Sequence, residues 1–245
     1  MITTISTMAP LPAGHPCAEC HIRPVAFCRS LGPDTLIDMQ ALGKPIKLVP
    51  GQALFFEGDR VERLFMLARG ALKLYGLLGD GRRQITGFMY PGDFLGIALD
   101  DQHAFTAEAL VACELWSFSR EAFSAFCTRH GEVERELYYL AAHELAAAQQ
   151  QMLLLGRKNA AERLASFFVA LAKRFERDPG QKAEHVHLPM SRLDIADYLG
   201  LTKETVSRMI AQLRDRKLIR LVNQDTIELL DREGLEDMAA GFGDE

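Results

Sequence analysis

Apolar positions along the chain fall into three regimes. From about residue 45 to 120 they come in short runs cut by Gly51, Gly58, Gly70, Gly76, Gly79, Gly81, Gly87, Gly92 and Gly96. The runs at 53–56, 64–68, 71–78, 84–90 and 108–118 read as strands, and many short strands between turn residues predict a β-barrel or jelly-roll. Gly79-Asp80-Gly81 supplies a hairpin turn, because glycine takes positive φ without penalty. A long helix is expected over 132–155, with Gly156 at its C-terminus. One apolar stripe of that helix runs Val133, Leu140, Ala147, Leu154, and a second runs Leu137, Ala141, Leu145, Ala148, Met152, Leu155. A helix apolar on two sides must be covered on two sides. The β-domain would cover one; the rest of the same chain, or the same helix of a twin subunit, would cover the other. Glu144, Ala147 and Gln151 would weaken a twin seam, which suits a switched dimer.

The third regime is helical. Asn159 with Glu162 resembles a capping box, and Leu164, Phe167, Phe168, Leu171 and Phe175 form one face of the helix that follows, until Asp178-Pro179-Gly180 breaks it. Ser191 with Asp194 starts a short helix with Ile195, Ala196 and Leu199 inward. Gly200 turns the chain, Thr202 caps a second helix, and Val206, Met209 or Ile210, and Leu213 face its core. Helix, glycine turn, helix is the helix-turn-helix plan, and runs at 218–222 and 226–230 add a hairpin wing. Residues 1–30 differ from all of this. They lack periodicity, carry four of the ten prolines (Pro10, Pro12, Pro16, Pro24), and are expected to need a ligand or partner to become ordered. The chain thus divides into an arm (1–30), a β-roll (31–130), a long helix (131–157) and a winged helix-turn-helix domain (158–245), an α+β architecture.

Composition adds limits. At 245 residues, 48% hydrophobic and 25% charged, the chain has the makeup of a folded protein with two modest domains. No apolar run approaches the roughly 18 residues of a membrane span, so no membrane partner is expected. The first residues do not read as a secretory signal, which makes a reducing cytoplasm the expected setting. Net charge is −5, but residues 201–222 hold six basic side chains against two acidic ones. Such a stripe suits a DNA face, although charge alone fits a solvated helix as well. Lys203, Glu204, Ser207 and Arg208 occupy the outer face of the second helix, where a recognition helix meets base edges. Arginine reaches guanine bidentately and glutamate accepts from cytosine, so Glu204 and Arg208 fit a G·C step; the alternative for the pair is an exposed i,i+4 salt bridge.

Cys17, Cys20 and Cys28 are spaced C-x2-C-x7-C, and thiolates are soft ligands. Four readings stay open on residues alone. Cys17-Ala-Glu-Cys20-His21 matches a c-type haem string, whose chemistry needs export. The three cysteines with His15 or His21 would make a zinc site. With a fourth thiolate, from Cys113 or Cys127, they would hold an iron–sulfur cluster. They would otherwise be unliganded thiols. For Cys113 the plain alternative is a small buried core residue, and for Cys127 helical packing.

The order of arm, glycine-punctuated β-domain and long helix, with the segments 152–164 and Tyr198-Leu-Gly-Leu-Thr-Lys-Glu204-Thr-Val-Ser207-Arg208, resembles the cyclic-AMP receptor protein superfamily. It is closest to the fumarate–nitrate reduction regulator (FNR) branch, and the likeness covers nearly the whole chain. The resemblance implies a dimeric oxygen sensor whose [4Fe-4S] cluster is held by Cys17, Cys20, Cys28 and Cys113. It implies that Glu204, Ser207 and Arg208, flanked by Thr202 and Lys203, read a palindrome of TTGAT-like half-sites in double-stranded DNA, with RNA polymerase as a further partner. The x7 spacing departs from the enterobacterial pattern and resembles a rhizobial-type variant. His103-Ala-Phe-Thr106-Ala107 has no arginine where the cyclic-nucleotide branch holds its phosphate, which disfavours cyclic AMP. Alternatives are a regulator of this fold answering zinc, nitric oxide or a small effector, and an iron–sulfur electron carrier. No nucleotide-phosphate loop, flavin fingerprint or catalytic triad is present, so no enzymatic activity is expected.

Overall fold

The computed structural model describes residues 9–15, 17–20, 22–97, 101–176 and 185–241. Packing divides the chain into two units, Met1–Gly76 with Thr86–Glu144 and Leu77–Ile85 with Leu145–Glu245. The expected break at Asp178-Pro179-Gly180 lies outside the described residues.

In the first unit, a 3-10 turn (Phe27–Ser30) and helix α1 (Pro33–Leu42) precede the strands. These are β1 (Lys44–Leu48), β2 (Ala53–Phe55), β3 (Arg63–Arg69), β4 (Leu72–Leu77), β5 (Arg83–Met89), β6 (Phe94–Leu95), β7 (Thr106–Ala109) and β8 (Cys113–Ser119). They form two four-stranded sheets, ordered β1-β8-β3-β6 and β2-β7-β4-β5. Helix α2 (Arg120–Arg129) and the first half of α3 (Gly131–Arg157) follow. The single strand expected over 108–118 is two strands, because the chain turns at Leu110–Ala112 to cross from one sheet to the other.

Strands β3 and β8 are buried on both faces, and their period of two sends alternate residues into different cores. Phe65 and Leu67 of β3, with Cys113 and Leu115 of β8, join Leu48, Leu72, Met89 and Ala107 inside the roll. Leu64, Met66 and Ala68, with Trp116 and Phe118, face the other way, onto Phe94, Phe123, Phe126 and Val133. That second core also takes in Ile22, Ala26, Phe27, Cys28 and Leu31, and Phe27 meets Phe94 edge-on with centroids 5.0 Å apart. The described arm residues thus do not form a core alone, and the partner they pack on is the sheet of the same unit. They cover an apolar sheet face that would otherwise be wet.

The second unit begins with Leu77–Ile85 and the second half of α3. It continues through α4 (Ala160–Phe175), β9 (His185–His187), α5 (Arg192–Leu199), α6 (Lys203–Asp215), β10 (Ile219–Leu221), β11 (Thr226–Leu229) and α7 (Arg232–Ala240). Asn159 closes a full capping box with Glu162, and α4 buries Leu164, Phe167, Phe168, Leu171 and Phe175 as its pattern predicts. A three-stranded sheet, β10-β11-β9, carries the wing. Leu78 N donates to the Arg82 carbonyl at 2.8 Å across the hairpin turn, and Gly81 holds φ 86°.

Gly156 does not stop α3, which runs on to Arg157. Nothing lies within 4 Å of a Cβ built on Gly156, whereas one on Gly70 (φ +96°) would meet the Ala112 carbonyl oxygen at 2.5 Å and Cys113 Sγ at 2.6 Å. Gly156→Ala should therefore stabilise the protein by about 0.5–1 kcal/mol. Gly70→Ala should destabilise it by roughly 2–4 kcal/mol, through positive φ and a backbone clash together. Urea unfolding of the two variants checks both signs.

Candidate nucleic-acid interface and thiol cluster

Local rules build the helix-turn-helix. Ser191 Oγ accepts from Asp194 N at 3.1 Å while Ser191 N donates to Asp194 Oδ2 at 3.0 Å, so two of the free donors at the start of α5 are met. Gly200 takes the left-handed conformation (φ 63°, ψ 41°) that ends α5. Thr202 Oγ1 then accepts from Thr205 N at 3.2 Å and caps α6. Val206, Ile210 and Leu213 face the core, which settles the choice between Met209 and Ile210 in favour of Ile210.

The opposite face of α6 presents Lys203, Glu204 and Arg208 exposed and Ser207 half-buried, with Thr202 exposed at the tip. Among the described residues no ion pair ties Glu204 to Arg208, so both keep their hydrogen-bonding capacity for a partner. By contrast, Arg214 pairs with Asp215, and Arg220 with Glu228. The recognition face thus presents charged side chains that no ion pair among the described residues engages.

Sequence reasoning missed what holds α5. Arg83, in the Leu77–Ile85 segment, places Nη2 2.8 Å from Asp194 Oδ1 and 2.7 Å from Asp197 Oδ2. Gln84 Nε2 and Gln151 Nε2 donate to the Tyr198 carbonyl at 3.4 and 3.0 Å. Arg163 donates to the carbonyls of Leu155, Lys158 and Leu199, each at 2.9 Å. The segment bearing Arg83 is some 110 residues away in sequence, and no local pattern announces the pairing.

The proposed ligands separate into two places. Cys28 is buried and Cys17 and Cys20 are half-buried against the arm-side core. Burial pushes the Cys28 thiol up to about 12, with Cys20 and Cys17 adding to the rise and Arg23 opposing it. Burial and then Cys20 also raise Cys17, again opposed by Arg23. Cys113 sits in the other core, because positions 113 and 115 of β8 face the roll interior. Its Sγ lies 3.3 Å from the Ala71 carbonyl oxygen and 3.2 Å from that of Val111. That is a thiol donor's environment, and burial raises its pKa too. Cys127 shares the arm-side core. Among the described residues no three His, Cys, Asp or Glu side chains converge closely enough to hold one metal ion. The three arm thiols suit a soft centre in donor type and share one core, but this arrangement brings neither them nor a fourth thiol into a closed ligand set. His15 is buried, with Nε2 3.0 Å from the Pro33 carbonyl oxygen and Nδ1 accepting from Cys17 N at 3.0 Å. Both ring nitrogens are engaged, so it is not placed as a metal ligand, and His21 lies outside the described residues.

In the β-roll, His103 stacks on Phe55 with ring centroids 3.6 Å apart, and Thr106 Oγ1 accepts from Glu57 N at 3.1 Å. Lys73 is buried and paired with Glu108 at 2.9 Å.

A winged helix-turn-helix with an uncommitted outer face, on a chain that also carries a two-sheet roll, defines a DNA-binding transcription regulator. Residues 162–238 match the Crp-like helix-turn-helix domain and residues 45–130 the cyclic nucleotide-binding domain. The nitrogen fixation regulation protein FixK of Bradyrhizobium diazoefficiens is 40% identical over 94% of this chain and 96% of its own. The transcriptional activator protein anr of Pseudomonas aeruginosa is 34% identical over 98% of each. The solved structure of FixK2 from Bradyrhizobium japonicum matches with a TM-score of 0.75 at 35% identity, over 80% of this chain and 96% of that one. The chain belongs to the CRP/FNR superfamily, in its FNR-type branch, and is a regulator rather than an enzyme. No helix of the described residues is long and apolar enough to cross a membrane.

Asp194 both caps α5 and receives Arg83, whereas Asp197 only receives Arg83. Asp194→Ala should cost about 1–3 kcal/mol, clearly more than Asp197→Ala. Thermal unfolding of the two variants, compared with the parent chain, checks the ranking.

Proposed function

We propose that this regulator is an oxygen-responsive homodimer of the cytoplasm that binds a TTGAT-like palindrome when an iron–sulfur cluster is present, and that it works with RNA polymerase. The observation that carries the proposal is that the three arm thiols, in C-x2-C-x7-C spacing, all pack on the core that covers the sheet face next to the start of α3. When bound, a [4Fe-4S] cluster would supply an oxygen-labile inorganic centre with four thiolate ligands. Cys17, Cys20 and Cys28 would provide three. Resemblance assigns the fourth to Cys113, which in this arrangement faces away from them. A cyclic nucleotide is not proposed as effector, since residues 103–107 offer no arginine to its phosphate.

The dimer reading rests on α3. Residues 141–150 are exposed on every side of one chain, and Leu145 (60%), Met152 (65%) and Leu153 (64%) stand in solvent. A helix stretch left bare in this way calls for a partner, and a twofold copy of itself is the simplest one. Burial of the helix within a single chain, the alternative, does not describe these residues. Pairing along α3 would set two recognition helices about one DNA turn, roughly 34 Å, apart. Glu204, Ser207 and Arg208 would then meet base edges, with Thr202 and Lys203 at the backbone.

Air-free protein should shift a TTGAT-palindrome probe, and exposure to air should abolish the shift; equal binding in both conditions would refute oxygen sensing. Iron and acid-labile sulfide in air-free preparations should be lost in Cys113→Ala and kept in Cys127→Ala, and the reverse would move the fourth ligand. Arg208→Ala should relax discrimination at one base pair by about 1–3 kcal/mol, measured as binding to single-base operator variants. Uniform weakening across all variants would assign Arg208 to phosphate alone.

A further inference from the structure

We propose that Arg83 is a positioning residue for DNA reading: its guanidinium clasps Asp194 and Asp197 of α5 and thereby holds α6 at the angle its exposed face needs to meet base edges. The inference rests on the helix-turn-helix alone and asks nothing of the arm thiols.

Helix α5 has only eight residues, Arg192–Leu199, too few for its own backbone bonds to hold it. Its direction is set by what it touches. Ile195, Ala196 and Leu199 are buried in the core. Asp194 and Asp197, three positions apart, are neighbours along the helix surface, and both meet the Leu77–Ile85 segment. There Arg83 Nε and Nη2 reach Asp197 Oδ2 at 2.8 and 2.7 Å, and Nη2 also reaches Asp194 Oδ1 at 2.8 Å. The other oxygen of Asp194, Oδ2, takes the cap bonds from Ser191 N and Oγ. One turn on, the Tyr198 carbonyl accepts from Gln84 Nε2 at 3.4 Å. Two adjacent residues of β5 thus hold α5 near its start and at its end.

A planar guanidinium with two donors engaged fixes orientation as well as distance. The side chains of Arg83, Asp194 and Asp197 are 23%, 9% and 20% exposed. Solvent therefore screens this clasp less than it screens the exposed Arg214–Asp215 pair. Without the guanidinium, two carboxylates would be left close together, and α5 would turn to separate them. Gly200 and the bond from Leu201 N to the Ala196 carbonyl, 3.0 Å, tie the start of the next helix to α5, so α6 would turn as well. In a helix-turn-helix the first helix crosses the DNA backbone while the second reads bases. An error in angle therefore costs base contacts before it costs phosphate attraction, which depends on charge.

Full-length, air-free protein should be bound to two duplexes, a TTGAT palindrome and a scrambled sequence of the same composition, over a range of salt. Arg83→Gln should bind the palindrome about tenfold more weakly, as if one base pair were mismatched, and bind the scrambled duplex as the parent does. Its salt dependence should match the parent's, because no phosphate contact is lost. Arg83→Asp combined with Asp197→Arg keeps the net charge and rebuilds the clasp, and should restore the preference to within a few-fold. Arg83→Asp alone should lose more than Arg83→Gln. A merely structural role would weaken binding to both duplexes in step with a lowered melting temperature. A phosphate contact would give a shallower salt slope that the exchange does not restore. Either result, or an Arg83→Gln variant that discriminates as the parent does, would overturn the inference. A parent with no preference for the palindrome would refute the half-site reading alone, and a duplex that the parent selects from a random pool then takes its place.

Discussion

Strands β3 and β8 have no solvent face, and the alternation of their side chains between two cores is the constraint on which the first unit depends. Odd positions of β8 point into the roll, and even positions point to the arm, α2 and the start of α3. The arm is ordered because that second face is apolar and must be covered. The same parity explains why Cys113 stands apart from Cys17, Cys20 and Cys28. A shift of one residue in the register of β8 would bring position 113 to the arm side, but it would also take Leu115 out of the roll interior and put charged Glu114 into it. Cys113 could join the other thiols only through movement of the strand end, and Gly70, packed against its sulfur, lies at that end.

The second unit is held by a different kind of bond. Caps at Ser191 and Thr202 and the left-handed Gly200 fix the two helices locally, and Arg83, Gln151 and Arg163 fasten α5 and the turn from outside the motif. With its frame so fastened, α6 can leave Lys203, Glu204 and Arg208 without ion-pair partners among the described residues. The bare stretch of α3 repeats this at larger scale. The bare apolar side chains of α3 are costly to leave in water, whereas the charged face of α6 is hydrated and ready for a partner.

Much of this was legible in the residues. Asn159/Glu162, Ser191/Asp194, Gly200 and Thr202 are local signals whose physics lies within four residues, and each sits in the structure as its pattern predicts. Strands 64–68 and 71–78 were readable to within a residue or two, because apolar runs bounded by glycine have little choice. Gly156 misled, since an exposed glycine costs a helix only about 1 kcal/mol and α3 absorbs it. The arm misled for a related reason: its burial depends on a sheet face formed far away in sequence. Arg23 and Arg83 were invisible, because a charged residue in a polar-looking segment gives no sign of which distant groups will surround it. The cysteine spacing picked out three thiols that share one core, but spacing could not say that β8 turns Cys113 the other way.

The central claim is that an inorganic centre held by the arm decides whether two subunits associate along α3. Sedimentation of air-free protein, with iron measured in the same fractions, tests this most directly. The account predicts that iron travels with a dimer, and that air converts the boundary to iron-free monomer. A dimer that persists without iron, or iron carried by a monomer, would contradict it.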